Sequence, residues 1–547
     1  MKTRFALHYL PDGYSVAGQK LMGRQAAGAG LMRAVARAEG IEQLGCFTAR
    51  AAQATECERS LTEQGYRGKL AWIDKARPQD LADYGVLYHP APDIQRLAWR
   101  RSPLGHRAYS LCGITHTTAS HAIMSGIAEL LVAPLKSWDA VICTSRVVRD
   151  SVRLLLEEQA DYLRARLGAQ RFELPQLPLI PLGVHCADLA PDAQRRAQAR
   201  AELQIGADDV AFLFLGRLSF HAKAHPQQMF AALERAGKKG RKVHLILCGW
   251  FANDAIEKAF HEAAALLCPS IALHVLDGRK PDAQKQAWAA ADVFTSLSDN
   301  IQETFGLTPA EAMAAGLPCV VTDWNGYRDT VREGIDGFRI PTVMPAPGFG
   351  GDLAQRYDDG RDSYDMYCGH ASQAVAVDGT ALVQAYGRLI CEPELRKTMG
   401  EAARKRAARE FDWAVIFERY RELWAELDER RRADPDLHPP LPQRVPDRPD
   451  PFRLFAAYPS TALDPESRLM LAPDATMELV RQYRTLGINR FATASLPTEE
   501  EFERLFASLA RGESKAQTLL GMFDAPHHAR ILRGLVWLCK MDLAGLA

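Results

Sequence analysis

Short apolar runs rich in β-branched residues alternate with longer, helix-like patterns along most of the chain. Runs of this length, separated by helix-length segments, predict βαβ units in which helices cover both faces of a parallel sheet. Such sheets bind ligands at the carboxyl ends of their strands. The predicted strands lie in the runs Phe5–Leu10, Ala140–Thr144, Leu177–Leu182, Val210–Leu215, Val243–Cys248, Ile271–Leu276, Val293–Leu297 and Cys319–Thr322.

A break in this alternation falls near Pro181–His185, and it is followed by a charged helical pattern at 193–203 and a new strand at Val210. We therefore predict an α/β fold with two Rossmann-like domains, residues 1–190 and residues 191–415.

The end of the chain has a different composition. Seven prolines lie between Pro435 and Pro451, and because proline fixes φ and lacks an amide donor, residues 433–452 are predicted to be a semi-rigid linker. Residues 453–547 are predicted to form a small helical appendage, since Thr498 and Glu501 have capping-box spacing and Ala529–Lys540 is amphipathic. We find no catalytic constellation there and expect at most a protein contact.

The bulk numbers limit the function classes. The chain has 547 residues, enough for about three domains. Lys+Arg and Asp+Glu are both 67, so no global field favours nucleic acid, and any anion site must be local. The eleven cysteines lack zinc-site spacing and favour reduced thiols. No signal peptide or run of roughly 20 apolar residues is found, which favours a cytoplasmic protein and leaves open a peripheral contact with the inner membrane face, for instance through the basic loop 100–107.

The most informative segment runs from Ser298 to Asp323, between two predicted strands. Thr308, Pro309 and Glu311 fit the N-cap, first and third positions of a helix that should end near Gly316. The amino end of this helix would lie at the carboxyl end of a parallel strand, where free N–H groups and the helix dipole favour an anion such as a phosphate.

Two carboxylates, Glu303 and Glu311, can face the cleft at this point. Spacing alone favours a simpler interpretation, in which Glu311 closes a capping box with Thr308 and Glu303 is a solvated loop residue. A second segment carries two cations, Arg217 and Lys223, just after the strand Val210–Leu215. They could stabilise the charge on a departing diphosphate. On these two residues alone, however, the simpler interpretation is favoured, in which Arg217 pairs with a local carboxylate and Lys223 is solvated.

Two further features are weaker. Gly28 and Gly30 lie in a glycine-bearing turn predicted to open a helix, and glycines let a backbone approach a phosphate closely. The spacing is not that of a dinucleotide-binding fingerprint. His116 ends an apolar stretch, where cleft residues collect, but a lone histidine is more often structural.

Together these motifs resemble the family 4 retaining glycosyltransferases of the GT-B fold. The hallmark of that family, two glutamates separated by seven residues, is matched by Glu303 and Glu311. The resemblance covers roughly residues 1–430 and also rests on the segments Leu215–Leu218, Ile180–His185, Trp138–Ser145, Gly334–Phe338 and Met399–Trp413. It implies two Rossmann-like domains that face a central cleft, with a helix at about 415–430 crossing back to the first.

The resemblance implies roles by position. Glu303 would contact sugar hydroxyls, and Glu311 would hold the ribose. Arg217 and Lys223 would clamp the diphosphate, although their separation is one residue longer than the commonest family spacing. His116 would face the transferring sugar.

The same resemblance places the backbone of Phe305, Gly306 and Leu307 over the sugar and phosphates, and brings Gly28 and Gly30 onto the phosphates from the first domain. It implies a nucleotide-diphosphate sugar as donor, an unidentified acceptor, and no metal or other cofactor. Two other interpretations stay open: another GT-B enzyme, such as a nucleotide-sugar epimerase or a phosphorylase, and a degenerate transferase kept as a binding scaffold.

Overall fold

The structure, a computed structural model, describes residues 4–14, 23–238, 241–435 and 445–547. They belong to two compact units, which divide after Pro446. Residues 436–444 of the predicted linker lie outside the described residues. None of the described helices is long and apolar enough to cross a membrane. All eleven cysteines are free thiols, as expected.

The first half of the first unit is a six-stranded parallel sheet in the order β3-β2-β1-β4-β5-β6. This is the strand order of a Rossmann fold, and β1, β4, β5 and β6 are buried throughout because helices cover both faces of the sheet. The strands are β1 (Ala6–His8), β2 (Gln43–Thr48), β3 (Lys69–Asp74), β4 (Val86–Tyr88), β5 (Ser110–Ile114) and β6 (Ala140–Ile142). The helices are α1 (Pro11–Tyr14), α2 (Gly23–Arg37), α3 (Ala51–Glu63), α4 (Gln95–Arg101), α5 (His121–Glu129) and α6 (Arg146–Leu167), with 3₁₀ turns at Pro78–Tyr84 and Ser102–Leu104.

The second half repeats this plan with six parallel strands in the order β12-β11-β10-β7-β8-β9. The strands are β7 (Val210–Leu215), β8 (Val243–Gly249), β9 (Ala272–Asp277), β10 (Val293–Ser296), β11 (Cys319–Thr322) and β12 (Gly337–Ile340), and the ribbon β13 (Thr342–Val343) with β14 (Ala376–Val377) follows. The helices are α7 (Ala193–Glu202), α8 (Gln227–Gly237), α9 (Asp254–Leu267), α10 (Pro281–Ala290), α11 (Leu307–Ala314), α12 (Tyr327–Thr330), α13 (Gly351–Asp358), α14 (Tyr364–Gln373), α15 (Gly379–Cys391), α16 (Pro393–Arg406) and α17 (Trp413–Ala433), with a 3₁₀ turn at Cys186–Leu189 and a π-helical turn at Ala407–Phe411. The two predicted Rossmann-like halves are confirmed.

Helix α17 packs on the first half although it follows the second in sequence. The ring of Trp424 lies 4.5 Å from that of Phe5, immediately before β1, and the ring of Tyr420 lies 5.9 Å from that of Tyr88 in β4. The two halves of the first unit therefore share a continuous apolar core.

The strand predicted at Leu177–Leu182 is wrong. This segment forms only isolated bridges beside β6, from Gln176 to Ala140 and from Leu179 to Cys143. Prolines at 175, 178 and 181 remove the amide donors that a continuous ladder requires.

The second unit, Asp447–Ala547, contains more than the predicted helices. Its helices are α18 (Pro451–Leu454), α19 (Met477–Thr485), α20 (Gly487–Arg490), α21 (Glu499–Leu509), α22 (Ala516–Leu520) and α23 (His528–Lys540). They accompany a three-stranded antiparallel sheet of β15 (Arg468–Leu471), β16 (Ser514–Lys515) and β17 (Ala544–Leu546), which the sequence analysis did not predict. The predicted capping box is confirmed, since Thr498 N donates to Glu501 Oε2 at 2.8 Å and Glu501 N donates to Thr498 Oγ1 at 3.3 Å.

Candidate functional site

The loop between β10 and α11 lies at the carboxyl end of the central strands of the second sheet. The helix that follows begins at Leu307, and its N-cap is Gly306 with φ of 78°. A side chain at Gly306 would be strained by this φ, and its Cβ would lie 2.1 Å from the Tyr327 ring. The predicted N-cap, Thr308, is therefore wrong by two positions. No side chain caps this helix, so Glu311 does not close a capping box.

Lys223 and Glu303 form an ion pair across two loops. The Lys223 ammonium contacts Oε2 of Glu303, and the two side chains are only 21% and 11% exposed. Burial disfavours the charged lysine, but the Glu303 carboxylate outweighs this effect, so the pKa of Lys223 is raised. The pair joins the loop after β7 to the loop after β10.

Arg217 is held in the same place by neutral acceptors. Its Nη2 donates to the Ala222 carbonyl at 2.7 Å and to Gln302 Oε1 at 3.2 Å. Asn300 Nδ2 donates to the His221 carbonyl at 2.9 Å and ties the two loops together once more. In the part of the chain that the structure describes, Arg217 makes no ion pair, so its positive charge is not neutralised by a local carboxylate.

Two buried groups, Asp299 and Tyr327, and the partly exposed Glu311 lie in or beside these loops. Burial raises the pKa of Glu311 to about 7, although Lys223 opposes the shift. Burial also raises the pKa of Asp299 to about 7; this residue is 4% exposed, and its Oδ1 has no hydrogen-bond partner. Burial raises the pKa of Tyr327 to about 12, and its hydroxyl lies 2.8 Å from that of Ser296.

His116 reaches this region from the first half. It follows β5, and its carbonyl accepts a hydrogen bond from Thr304 Oγ1 at 3.2 Å. The Thr304 carbonyl in turn accepts one from Ser145 Oγ, after β6, at 2.7 Å. Burial, aided by Arg24, lowers the pKa of His116 to about 4, so its imidazole is neutral at pH 7. The carboxyl ends of the two sheets therefore meet at Thr304.

Phe305 is a core residue. Its side chain is 1% exposed and packs edge-on against Phe411 at 5.9 Å between ring centroids. The Phe305 side chain therefore points into the core, and the main chain of residues 305–307 leads into α11.

The turn predicted at Gly28 and Gly30 is wrong, because both glycines lie inside α2. A Cβ at Gly28 would lie 1.9 Å from the Gly13 carbonyl oxygen, and one at Gly30 would lie 2.3 Å from Nε1 of Trp413. Close packing accounts for both glycines. Trp413 also abuts Gly183, whose Cβ would lie 2.4 Å from the indole.

The structure brings Arg217, Lys223, Glu303 and Glu311 together and places the His116 loop against them. Three further residues of these loops were not predicted: Gln302, which accepts from Arg217, Tyr327 near Lys223, and Asp299, which accepts from the His225 amide. Asp299 and Gln302 stand in the Ser298–Asp323 segment and could have been identified from it. In the described ranges, no three His, Cys, Asp or Glu side chains converge as a metal site requires.

Comparison with known proteins covers part of the chain. Residues 195–346 match the family model of glycosyl transferases group 1. A D-inositol 3-phosphate glycosyltransferase of Corynebacterium urealyticum is 25% identical over 302 residues, which are 54% of this chain and 62% of the relative. One of Xylanimonas cellulosilytica is 30% identical over 232 residues, which are 40% of this chain and 52% of the relative. The chain thus spans less than two thirds of the length of these curated relatives.

Among solved structures, Anabaena Alr3699/HepE in complex with UDP is similar with a TM-score of 0.50 and 17% sequence identity. The likeness covers 78% of this chain and 100% of the other. The fold of the first unit is GT-B.

Proposed function

We propose that this protein is a glycosyltransferase that moves a sugar from a nucleotide-diphosphate sugar to an acceptor with retention of anomeric configuration. The observation that carries the proposal is Arg217, an un-neutralised cation held beside the Lys223–Glu303 pair where the carboxyl ends of two Rossmann-like sheets meet. A guanidinium that makes no ion pair within the described chain, held at the carboxyl ends of two parallel sheets, favours an anionic ligand such as a diphosphate.

In this proposal Arg217 and Lys223 stabilise the negative charge that grows on the leaving diphosphate. The bond between the anomeric carbon and the phosphate oxygen breaks, and the acceptor oxygen bonds to the same face of that carbon. The acceptor's proton passes to the departing phosphate oxygen.

Glu303 binds sugar hydroxyls and Glu311 binds the ribose. The main chain of Phe305, Gly306 and Leu307 approaches the donor, and neutral His116 faces the sugar. Fixed cations perform the charge stabilisation that a metal performs elsewhere, so no metal or cofactor is required.

The names of the relatives suggest where to begin the search for substrates. UDP is the first nucleotide to test, because the GT-B protein of similar fold binds it. Inositol phosphates are the first acceptors to test, because the curated relatives are named for one.

The test is to titrate UDP, GDP and ADP into the protein by calorimetry and then to incubate it with the matching nucleotide sugars. We expect one nucleotide diphosphate to bind, its sugar to be transferred or slowly hydrolysed, and NMR to show a retained anomer. Arg217→Ala should weaken the binding, whereas Arg279→Ala, in an exposed pair with Asp277, should not. Interconversion of sugars without transfer would indicate an epimerase, and no nucleotide binding would refute the proposal.

A further inference from the structure

A helical arm, residues 344–375, projects from the second half of the first unit. The antiparallel ribbon of β13 and β14 closes its base, and Asp378 N donates to the Pro341 carbonyl at 2.9 Å beside it. The arm contains α13 and α14, and none of its residues belongs to either six-stranded sheet.

One side of the arm packs on the candidate donor site. Gly369 of α14 lies against His221, since a Cβ on this glycine would be 3.0 Å from the His221 Cβ. His221 stands in the loop between Arg217 and Lys223. Cys368 is fully buried. Burial raises the pKa of its thiol to about 11, and the nearby positive charge of Arg217 opposes this shift.

The other side of the arm contacts the loop 115–121 of the first half. The hydroxyls of Tyr364 and Thr117 lie 3.2 Å apart. His121 N donates to the Tyr357 hydroxyl at 3.1 Å, and His121 Nε2 lies 3.0 Å from the Tyr357 carbonyl. The rings of His121 and Tyr357 stack with centroids 3.7 Å apart, and Tyr367 lies 4.5 Å from Tyr357 in a second stack.

The loop that carries His116 is therefore held at two places. Thr304, next to Glu303, binds the His116 carbonyl. The arm binds Thr117 and His121, one and five residues further along. Every one of these contacts crosses from one Rossmann-like half to the other, so separating the halves would break them together.

We propose that the arm fixes the His116 loop over the donor site, and that Tyr364 and Tyr357 are positioning residues for the transfer step. The proposal rests on the proposed function for its catalytic consequence, but the mechanical link is independent of it. Because the contacts of Tyr364 and Tyr357 described above are to Thr117 and His121 and not to Arg217 or Lys223, losing one of them should slow the chemical step more than it weakens donor binding.

The test uses Tyr364→Phe, Thr117→Val and the double variant in the full chain. Tyr367→Phe is the matched control, since it removes a hydroxyl from the same helix at a residue that only stacks on Tyr357. UDP-glucose consumption gives kcat and KM, UDP affinity is measured by calorimetry, and hydrogen exchange of residues 115–121 is measured without ligand.

We expect either single variant to lower kcat by roughly 3- to 10-fold, the effect of one lost hydrogen bond, with KM changed by less than about twofold. The double variant should be no slower than the worse single one, because each single variant already breaks the bond between the two hydroxyls, and Thr117→Val alone also removes the acceptor of the Ala119 amide. Exchange in 115–121 should rise in the three variants and stay unchanged in Tyr367→Phe.

Additive losses, equal losses in the control, or unchanged exchange in Tyr364→Phe would overturn the proposal. Failure of the wild-type protein to bind UDP or consume UDP-glucose would count against a UDP-glucose transferase, while the exchange measurement would still support or refute the role of the arm in holding the loop.

Discussion

The Lys223 ammonium is paired with the Glu303 carboxylate, and both side chains are mostly shielded from water. The pair fixes the relative position of two loops that come from different strands, β7 and β10. A ligand that contacts both groups therefore meets charges whose positions are already set, which is the arrangement that stabilises a transition state without reorganisation.

Glu303→Gln should lower the rate of sugar transfer by about 10²-fold or more while the protein remains folded. The amide keeps the shape of the side chain but loses the charge that holds Lys223. Initial rates with a saturating donor, together with a thermal unfolding curve, measure both effects. Glu262→Gln, at an exposed pair with Lys258, is the control; near-normal turnover in Glu303→Gln would contradict the assigned role.

Arg217→Ala should cut transfer by a similar factor of about 10² and also weaken nucleotide-diphosphate binding. Its guanidinium makes no ion pair within the described chain, so the lost charge is one that the ligand would feel directly. Arg217→Lys should recover only part of the activity, because a lysine cannot reproduce the planar fork. Calorimetry and steady-state rates would show this, and an unaltered affinity in Arg217→Ala would argue against a diphosphate clamp.

Glu311 should make stability depend on pH. Burial raises its pKa to about 7, above the value of about 4.3 in an unfolded chain. The folded state thus binds this proton more tightly, and the resulting stabilisation is fully present below about pH 4.3 and is lost as the pH rises through 7. Glu311→Gln cannot ionise, so its unfolding midpoint should fall less steeply between about pH 5 and 8 than that of the wild type. Parallel profiles for the two proteins would refute this.

Arg101 and Asp139 form a fully buried, two-pronged ion pair with distances of 2.6 and 2.7 Å. The Asp139 carboxylate also accepts the amides of Leu111 and Lys136, both at 2.8 Å. Arg101→Met leaves this charge buried without its partner and should cost about 3–5 kcal/mol of unfolding free energy. The double variant Arg101→Met/Asp139→Leu should lose less than the sum of the single variants in chemical denaturation, and strict additivity would show that the pair is not coupled.

Gly30→Ala should destabilise the first unit by roughly 1–3 kcal/mol, because the new methyl group would overlap the Trp413 indole. Gly23→Ala is the control in the same helix, since no atom of the described residues lies within 4 Å of its Cβ position. The unfolding midpoint should fall only for Gly30→Ala. Equal midpoints for the two variants would mean that the Trp413 indole can move away from α2 at little cost in free energy, which would contradict the prediction.

The pattern of the chain predicted the second sheet better than the first. Strands such as Val210–Leu215 and Val243–Gly249 are almost entirely apolar, and such runs can be recognised in a single sequence. Strand β3, Lys69–Asp74, mixes charged and apolar residues because it is an edge strand with only one neighbour. The antiparallel sheet of the second unit has strands of two to four residues, too short for alternation to be visible.

The sequence indicated those candidate site residues that directly follow a predicted strand. Arg217, Lys223, Glu303 and Glu311 follow strands β7 and β10, and parallel topology alone brings those strand ends together. The contacts of the arm could not be predicted, because nothing in the sequence near Tyr364 indicates that it contacts Thr117, 247 residues away. At Gly28 and Gly30 the prediction of a turn was wrong, because both residues lie inside α2, where neighbouring atoms leave no room for a Cβ.

Helix α17 makes the first Rossmann-like half a discontinuous assembly, built from the beginning of the chain and a segment more than 400 positions later. The side chains of Phe417, Tyr420 and Trp424 cover one face of its sheet. During synthesis that face therefore stays uncovered until residue 433 has left the ribosome. The second half needs no such late addition to its own sheet, so of the two halves the one that comes first along the chain completes its fold later.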